Sequence, residues 1–532
     1  MNKYIKYAFV SVLPMAVLSS CDDYLDTMPD NRATVDNEDK IKSLLVSAYP
    51  TNDFSLVCEV SSDNCDDAGV NNPYTYREWD DAFAWKDEVE TFNESLSRYW
   101  QASYNAIASA NEALNAIEKL GGPTNPNIQG LYGEALLCRA YNHFMLAQLF
   151  CNTWTQNAAQ DLGLPYMEHA ETTLKPKYER GNLADFYQKI EGDLTEGLKY
   201  VSDSHLDVPK YHFNIKAAYA FATKFYLAVE NWQEAANWAT KCIGSTPGTL
   251  LRDHDAQAAL PVDGNNVYNE PQAMEYIKVT NPCNLMLVPT MSRLGYAFNR
   301  SYSFSRYSHN SLIATTETFR APHPFGTFKK VYGMYQGTNI DKALLRKVPC
   351  LFEYTDIVAQ TGYVHTVVPV FTVDETLLNR AEAYIMLKQY PEAAADLTAW
   401  AQNITTDCPV LTPEDITAWY NAADYSYSAE APLTGTIKKH LHPAFAIDAE
   451  GSTQEAMLQC MLGFRRIETL HFGFRWFDIK RYGIEIPRRV LNASGKPSSQ
   501  SDFLSKDDDR RIFQIPLEVR DAGFEANPRA KK

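Results

Sequence analysis

Ala222-Thr223-Lys224-Phe225-Tyr226, continuing through Asn231-Trp232-Gln233-Glu234-Ala235-Ala236, aligns without a gap on Arg380-Ala381-Glu382-Ala383-Tyr384 through Gln389-Tyr390-Pro391-Glu392-Ala393-Ala394. Small, aromatic and Glu-Ala positions coincide in the two stretches. Each reads as two helices joined by a short turn: a small side chain lets the helices approach, an aromatic ring fills the gap to the next pair, and the turn before Glu-Ala reverses the chain. Ala135 to Phe150, carrying Arg139-Ala140-Tyr141, repeats the small-then-aromatic pattern. Helical period dominates four stretches around these segments: Phe92 to Leu120, Asn127 to Phe150, Leu183 to Cys242 and Val373 to Asn403.

The paired helices resemble tetratricopeptide repeats, whose units bury their apolar faces only against neighbours, so about four units forming a curved scaffold are expected. Other segments differ. Asn52 to Asp87, Thr246 to Val370 and Asn403 to Gln459 are rich in Gly, Pro, Asn and Tyr and lack sustained helical period. Within them the β-branched run Val364 to Phe371 suits one strand of a small hairpin. The expected fold is therefore mostly α: a tetratricopeptide-like helical scaffold with an inserted irregular, loop-rich lobe containing a few short strands. The scaffold spans approximately 92–242 and 373–403 with a C-terminal segment 460–532, and the lobe approximately 52–90 and 246–370. Binding residues concentrate on loops carried by rigid scaffolds.

Composition narrows the function. With 532 residues, 45% of them hydrophobic, the chain can bury a large core and is not disordered. Its formal charge of −17 repels polyanions on average, which argues against a nucleic-acid partner. Thirty-two Tyr, 25 Phe and 9 Trp supply a surplus of rings able to stack on flat or sugar-like ligands.

Residues 1–20 read as a targeting segment. Lys3 and Lys6 precede an apolar run from Tyr7 to Leu18, too short to span a bilayer, which ends in Leu18-Ser19-Ser20-Cys21. That ending resembles a bacterial lipobox, with Cys21 acylated as the first mature residue and the domain 21–532 anchored rather than spanning. An ordinary signal peptide is the other reading. Cleavage takes two lysines and no acid with it, moving the charge from −17 to −19. Asp22, Asp23 and Asp26 then form an acidic tether, which resembles a surface-export signal of Bacteroidetes lipoproteins and reads equally as a solvated tail.

Reactive chemistry finds no support. There is no HExxH, GxSxG, P-loop or GxGxxG pattern, and no CxxC. His440 and His442 beside Lys438 and Lys439 read as a surface turn, and Asp66-Asp67, Asp80-Asp81 and Asp507-Asp508-Asp509 as solvated turns, although the first two pairs could hide a glycosidase acid and base. Of the nine cysteines after Cys21, only Cys58 and Cys65 lie close enough to suggest a local bridge. No catalytic residue, metal or cofactor is expected.

Five segments together resemble the SusD/RagB-like family of Bacteroidetes outer-membrane lipoproteins. They are Asp22-Asp23-Tyr24-Leu25-Asp26 with Pro29; Trp100 to Ile107 with Ala110-Asn111; Gly133-Glu134-Ala135 to Arg139-Ala140-Tyr141; Asn379 to Tyr384; and Arg465-Arg466-Ile467-Glu468 with Gly473 to Gly483, followed by Phe513-Gln514-Ile515-Pro516. Phe472 departs from the pattern, standing where the family usually has glutamate. The resemblance implies a non-catalytic binder that takes oligosaccharide, or in some members peptide, at the cell surface and delivers it to a SusC-like TonB-dependent transporter. It places the chain on the outer membrane, facing outward. A hydrolytic glycan-processing lipoprotein is the alternative from another class.

Three aromatic clusters are candidate binding faces. Tyr74, Tyr76, Trp79, Phe83 and Trp85 surround Arg77, with Trp79 and Trp85 as the leading platforms for a sugar ring. Tyr296, Phe298, Tyr302, Phe304 and Tyr307 alternate with polar residues, which equally suits a half-buried strand. Tyr332 and Tyr335 beside glycines form the third. In the C-terminal signature, Arg475, Asp478 and Arg481 read as caps and ion pairs rather than ligands.

Overall fold

The structure is a computed structural model that describes residues 35–72, 75–89, 91–170, 177–262, 270–299, 306–323, 325–329, 331–337 and 340–529. The described residues begin with α1 (Glu38–Leu45), α2 (Ser55–Ser61), β1 (Asp66–Asp67) and α3 (Arg77–Phe83). Five longer helices follow: α4 (Leu96–Lys119), α5 (Gln129–Phe150), α6 (Leu183–Tyr200), α7 (Ile215–Ala228) and α8 (Trp232–Ile243). Short elements then alternate: α9 (His254–Ala259), α10 (Pro271–Tyr276), β2 (Asn284–Thr290), α11 (Leu294–Phe298), β3 (Tyr307–Ser308), α12 (Ser311–Thr316) and β4 (Thr327–Phe328). Four strands come next, β5 (Tyr332–Gly337), β6 (Ile340–Leu345), β7 (Leu351–Asp356) and β8 (Thr361–Thr372). The remainder is α13 (Val373–Met386), α14 (Tyr390–Ile404), β9 (Thr405–Thr406), α15 (Pro413–Ala422), α16 (Thr453–Glu468), α17 (Arg475–Arg481), β10 (Ile486–Leu491), β11 (Pro497–Leu504) and α18 (Leu517–Asp521).

Local chemistry sets the helix starts. Ser95, Asn182, Asn214, Asn231, Thr372 and Ser452 each accept the backbone N–H three residues on, satisfying an otherwise orphaned donor at the helix N-terminus. Packing does the rest. α5 is buried on nearly every side, as expected of a helix apolar all round, and lies between α4 and α6. A Cβ on Gly133 would come within 2.6 Å of the Val201 nitrogen, and one on Gly197 within 2.9 Å of Leu137 Cγ, so these glycines let the α5 and α6 backbones meet. α7 packs on α8, α8 on α13, α13 on α14, and α16 covers α13.

The aligned stretches fold alike down to their turns. Glu230 and Lys388, equivalent in the alignment, both take left-handed backbone conformations with φ of 62° and 58°. The next residues, Asn231 and Gln389, donate their N–H to the carbonyls of Tyr226 at 2.9 Å and Tyr384 at 2.8 Å. The mostly-α expectation holds. Val364 to Phe371 lies within β8, which forms a hairpin with β7 and also pairs with β2. One reading needs correcting: the alternating stretch from Tyr296 opens as the helix α11 instead of a strand, while residues 403–459 hold loops, the short helix α15 and the start of α16.

Lobe and scaffold meet along a buried ionic seam. β1 pairs in parallel with β10 and antiparallel with β3, so a lobe strand is built into the C-terminal hairpin β10–β11. Around it Asp63 pairs with Arg475 at 2.9 Å, Asp66 with Arg489 at 2.8 Å, and Glu317 with Arg466, Arg489 and Lys439 at 3.1, 2.7 and 2.7 Å. Burial alone would raise Asp63 and Glu317, but the surrounding cations overcome it and hold both carboxyls well below the usual range. Asp66 and Asp67 are therefore buried strand residues rather than a solvated turn. Phe472 stacks on Tyr276 of α10 at 6.1 Å, an apolar contact across the same seam.

The C-terminal signature is structural, as its helical spacing suggested. Arg465 pairs with Asp478 and Glu382, and Arg481 with Glu382. Cys58 and Cys65 are both free and buried, which corrects the suggested bridge: each packs in the core as a small apolar group. Among the described residues no helix is long and apolar enough to cross a membrane.

Candidate ligand-binding face

The first aromatic cluster divides according to the geometry of α3. At helical spacing Trp79, Ala82 and Phe83 fall on one face and turn inward, leaving Arg77, Glu78, Asp80 and Asp81 on the other. Trp79 is only 3% exposed and Trp85 5%, so the two leading platforms are core residues in this structure. Trp85 donates its indole N–H to the Ser61 carbonyl at 2.8 Å. The buried Arg488 guanidinium lies 3.9 Å from its ring centroid and 4.2 Å from that of Phe83. An indole needs an apolar face and one polar partner, and both are supplied from within.

Tyr76 and Arg77 remain at the surface, half-buried and exposed respectively. Arg293, just before α11, lies 5.3 Å from the Tyr76 ring centroid and pairs with Glu78 at 3.3 Å and with the fully buried Glu94 at 3.1 Å. Tyr296, half-buried, follows one turn later on α11. On the other side of α3, Tyr307 hydrogen-bonds Asp80 and stacks on Phe83 at 4.4 Å, while Arg306 spans Asp67 at 2.9 Å and Asp80 at 3.7 Å. Burial, then the bond to Asp80, raises the Tyr307 hydroxyl pKa.

Two clusters more than 200 residues apart in sequence are thereby brought onto one face. Its half-buried rings are Tyr76 and Tyr296, its held polar groups are Glu78, Asp80, Arg293 and Arg306, and Arg77 stands exposed beside Asp81 at 3.6 Å. Aromatic rings beside rigidly held charged groups can stack on one side of a polyol and hydrogen-bond its edge. Because Asp66, Asp67 and Asp80 are each committed to a cation or a tyrosine, these carboxylates are already satisfied by the protein. Arg306 was one of the polar residues interleaved with the second cluster, but Arg293 and Glu94 were not singled out in the sequence. No local motif marks them, because their partners are distant in the chain.

The third cluster separates as well. Tyr332 is 5% exposed, edge-on to Phe328 at 5.3 Å and below the Lys347 ammonium at 5.1 Å, so it is a core residue and not a surface ring. Tyr335, three residues along β5, stays half-buried opposite Lys342 of β6. Phe298 is buried, stacked on His471 at 4.3 Å. Tyr74, Tyr302, Phe304 and Cys21 lie outside the described residues. His440 pairs with Glu450 at 2.7 Å and stacks on Tyr425 at 4.2 Å. Among the described residues, no three His, Cys, Asp or Glu side chains converge as metal donors.

Residues 23–227 match a SusD-like family model described as "Starch-binding associating with outer membrane". That stretch of the chain is similar to the SusD-like family. Solved structures with the same fold extend the likeness over nearly the whole molecule. A putative sugar binding protein from Bacteroides vulgatus is 18% identical with a TM-score of 0.62, over 93% of this chain and 99% of that one. A SusD superfamily protein from the same species is 17% identical with a TM-score of 0.60, covering 92% and 98%. One from Bacteroides thetaiotaomicron is 16% identical with a TM-score of 0.59, covering 93% and 100%. No curated protein sequence gives a significant match. The SusD-like fold thus accounts for both parts of this chain, the helical scaffold and the lobe.

Proposed function

We propose that this SusD-like chain is a non-catalytic, lipid-anchored protein of the outer-membrane surface that binds oligosaccharide and hands it to a SusC-like TonB-dependent transporter. The observation that carries the reading is the meeting of Tyr76, Arg293 and Tyr296 on one face, half-buried rings beside fixed charges on a family scaffold. The family description, starch-binding and outer-membrane association, supports the ligand class and the location. Acylation at Cys21 supplies the anchor, and a tethered binder needs a channel to bring its ligand inside. Arg77 stands exposed beside Tyr76 on that face. Trp79 and Trp85 support it from beneath.

A glycan array probed with the full-length protein in detergent, followed by calorimetry on the best binder, tests this. The Tyr76→Ala/Tyr296→Ala double variant is expected to weaken that binding by about thirty-fold, or about 2 kcal/mol, while the helical circular-dichroism signal is kept. Affinity should change little with added salt, since stacking is not a long-range charge interaction. Undiminished binding in the double variant would remove this face from the proposal. Release of new reducing ends by the wild-type protein would overturn the non-catalytic reading.

A further inference from the structure

A second groove opens on the helical side of the molecule, about 660 Å³ in volume, between the loop after α5, the segment 442–445, the end of α17 and the turn after β11. That volume falls within the range of roughly 300–1,000 Å³ typical of small-ligand sites. It shares no lining residue with the Tyr76–Tyr296 face. Val490 of β10 pairs with Asp67 near that face, while Gly483 in the groove lies seven residues earlier.

Two cations, the half-buried Lys480 and the buried Arg511, brace the walls. Lys480 donates to the carbonyls of Gln148 and Cys151, fixing the end of α5 and the loop after it. Arg511 donates to the carbonyls of Ile479 at 2.9 Å, Ile484 at 2.6 Å and Ser505 at 2.7 Å, tying the end of α17 to the turn after β11. Burial lowers the Lys480 ammonium to about 8. Charges placed on backbone carbonyls rather than carboxylates make a rigid frame at some desolvation cost, and a preformed cleft loses less entropy when it binds.

The lining has the chemistry of a polyol site. Trp154 is half-buried, with one side packed against Tyr187 at 5.2 Å, and Phe445 is likewise half-buried. Asn152 donates to Asp161 at 2.6 Å, orienting that carboxylate, while Asn157 and His442 are exposed at the rim. The charges balance: Lys480, Arg481, Lys506 and Arg511 stand against Asp161 and Asp507–Asp509, four of each sign. A balanced, aromatic, amide-bearing groove in a chain of charge −17 favours an uncharged polar ligand over an anion or a cation.

We infer that this groove is a second carbohydrate site, which takes a neutral oligosaccharide segment with Trp154 as its stacking surface and Asn157 and Asp161 as hydrogen-bonding partners. The inference rests on the carbohydrate reading above but not on the position of the first face. The full-length protein in detergent is screened on an array of neutral plant, algal, mucin and microbial oligosaccharides, and the longest strong binder is titrated by calorimetry. Two sites per chain are expected in the wild type. Trp154→Ala/Asn157→Ala should remove one of them, with at least a tenfold loss at that site, and Tyr76→Ala/Tyr296→Ala the other. A stoichiometry of one that only the Tyr76/Tyr296 variant abolishes would overturn the groove and leave the first face standing. One site that only the Trp154/Asn157 variant abolishes would support the groove and displace the first face. No array binding by folded wild-type protein would overturn both.

Discussion

The helical repeats and the seam that joins them to the lobe are both buried, yet the balance of contacts differs. Between repeats small apolar groups at full burial, such as Ala222 and Ala381, and backbones brought together through glycine predominate, with isolated ion pairs such as Arg380–Asp396 at 2.7 Å beside them. Along the seam they are ion pairs among fully buried side chains, including Asp63, Asp66, Glu317, Arg466, Arg475 and Arg489. A repeat interface therefore fails when volume changes, and the seam fails when charge is left unmatched. The seam is also costlier to build, because each ion gives up its hydration and regains it only through its partners.

The largest effect is expected where this difference is sharpest. Glu317→Ala would leave Arg466, Arg489 and Lys439 facing one another, and stranding a buried partner typically costs about 3–5 kcal/mol. Urea denaturation should show the loss, and a loss below about 1 kcal/mol would mean that water reaches the seam.

The next effect depends on pH. Glu59 of α2 accepts N–H groups from His471 and Gly473 across the seam, and burial raises its carboxyl to about 7. A raised acid binds its proton more tightly in the folded state, so its contribution is full below the ordinary carboxylate pKa and is lost as pH rises through about 7. Burial likewise raises Glu88 to about 7 and Asp53 to about 6, which acts in the same direction. Glu59 alone should therefore withdraw about 2–3 kcal/mol between pH 5 and pH 7.5, against buried His143 and His309, whose imidazoles burial lowers to about 3 and which add stability over the same rise in pH. Glu59→Gln should remove that contribution, so the stability difference between variant and wild type should change by about 2–3 kcal/mol from pH 5 to pH 7.5, and a difference equal at both pH values would contradict the assignment.

Within the repeats, Ala381→Leu should cost about 1–3 kcal/mol by overpacking, with no pH dependence between 5 and 7.5. An unchanged melting transition would show slack in the α13 interface. The smallest effect should be a gain. Glu230→Gly removes a side chain from a left-handed turn position, and should raise stability by about 1 kcal/mol. If the melting temperature falls instead, the Glu230 side chain contributes more than its backbone strain costs.

The repeats were legible because their information is local. A period of 3.6, caps at the first turn and equivalent turns at Glu230 and Lys388 lie within a few residues of one another. The hairpin strand β8 was legible for the same reason. The candidate face was only half legible: Tyr76, Arg77 and Tyr296 were marked by composition, but the same reasoning chose Trp79 and Trp85, which point inward. Composition can name an aromatic cluster, but it cannot say which rings a distant Arg488 will cover.

By itself, the sequence determined that the chain is a helical scaffold interrupted by a lobe, and that its charge disfavours nucleic acid. Helix periodicity and net charge follow from residue order and count alone. Tertiary structure decided which aromatics remain at the surface, that Asp66 is a buried member of the seam, and that two bracing cations frame a groove beside Trp154. Those outcomes depend on contacts between residues up to about 400 positions apart, such as Arg488 with Ser62 and Arg489 with Asp66. Burial is a property of the assembled neighbours, and no local pattern encodes it.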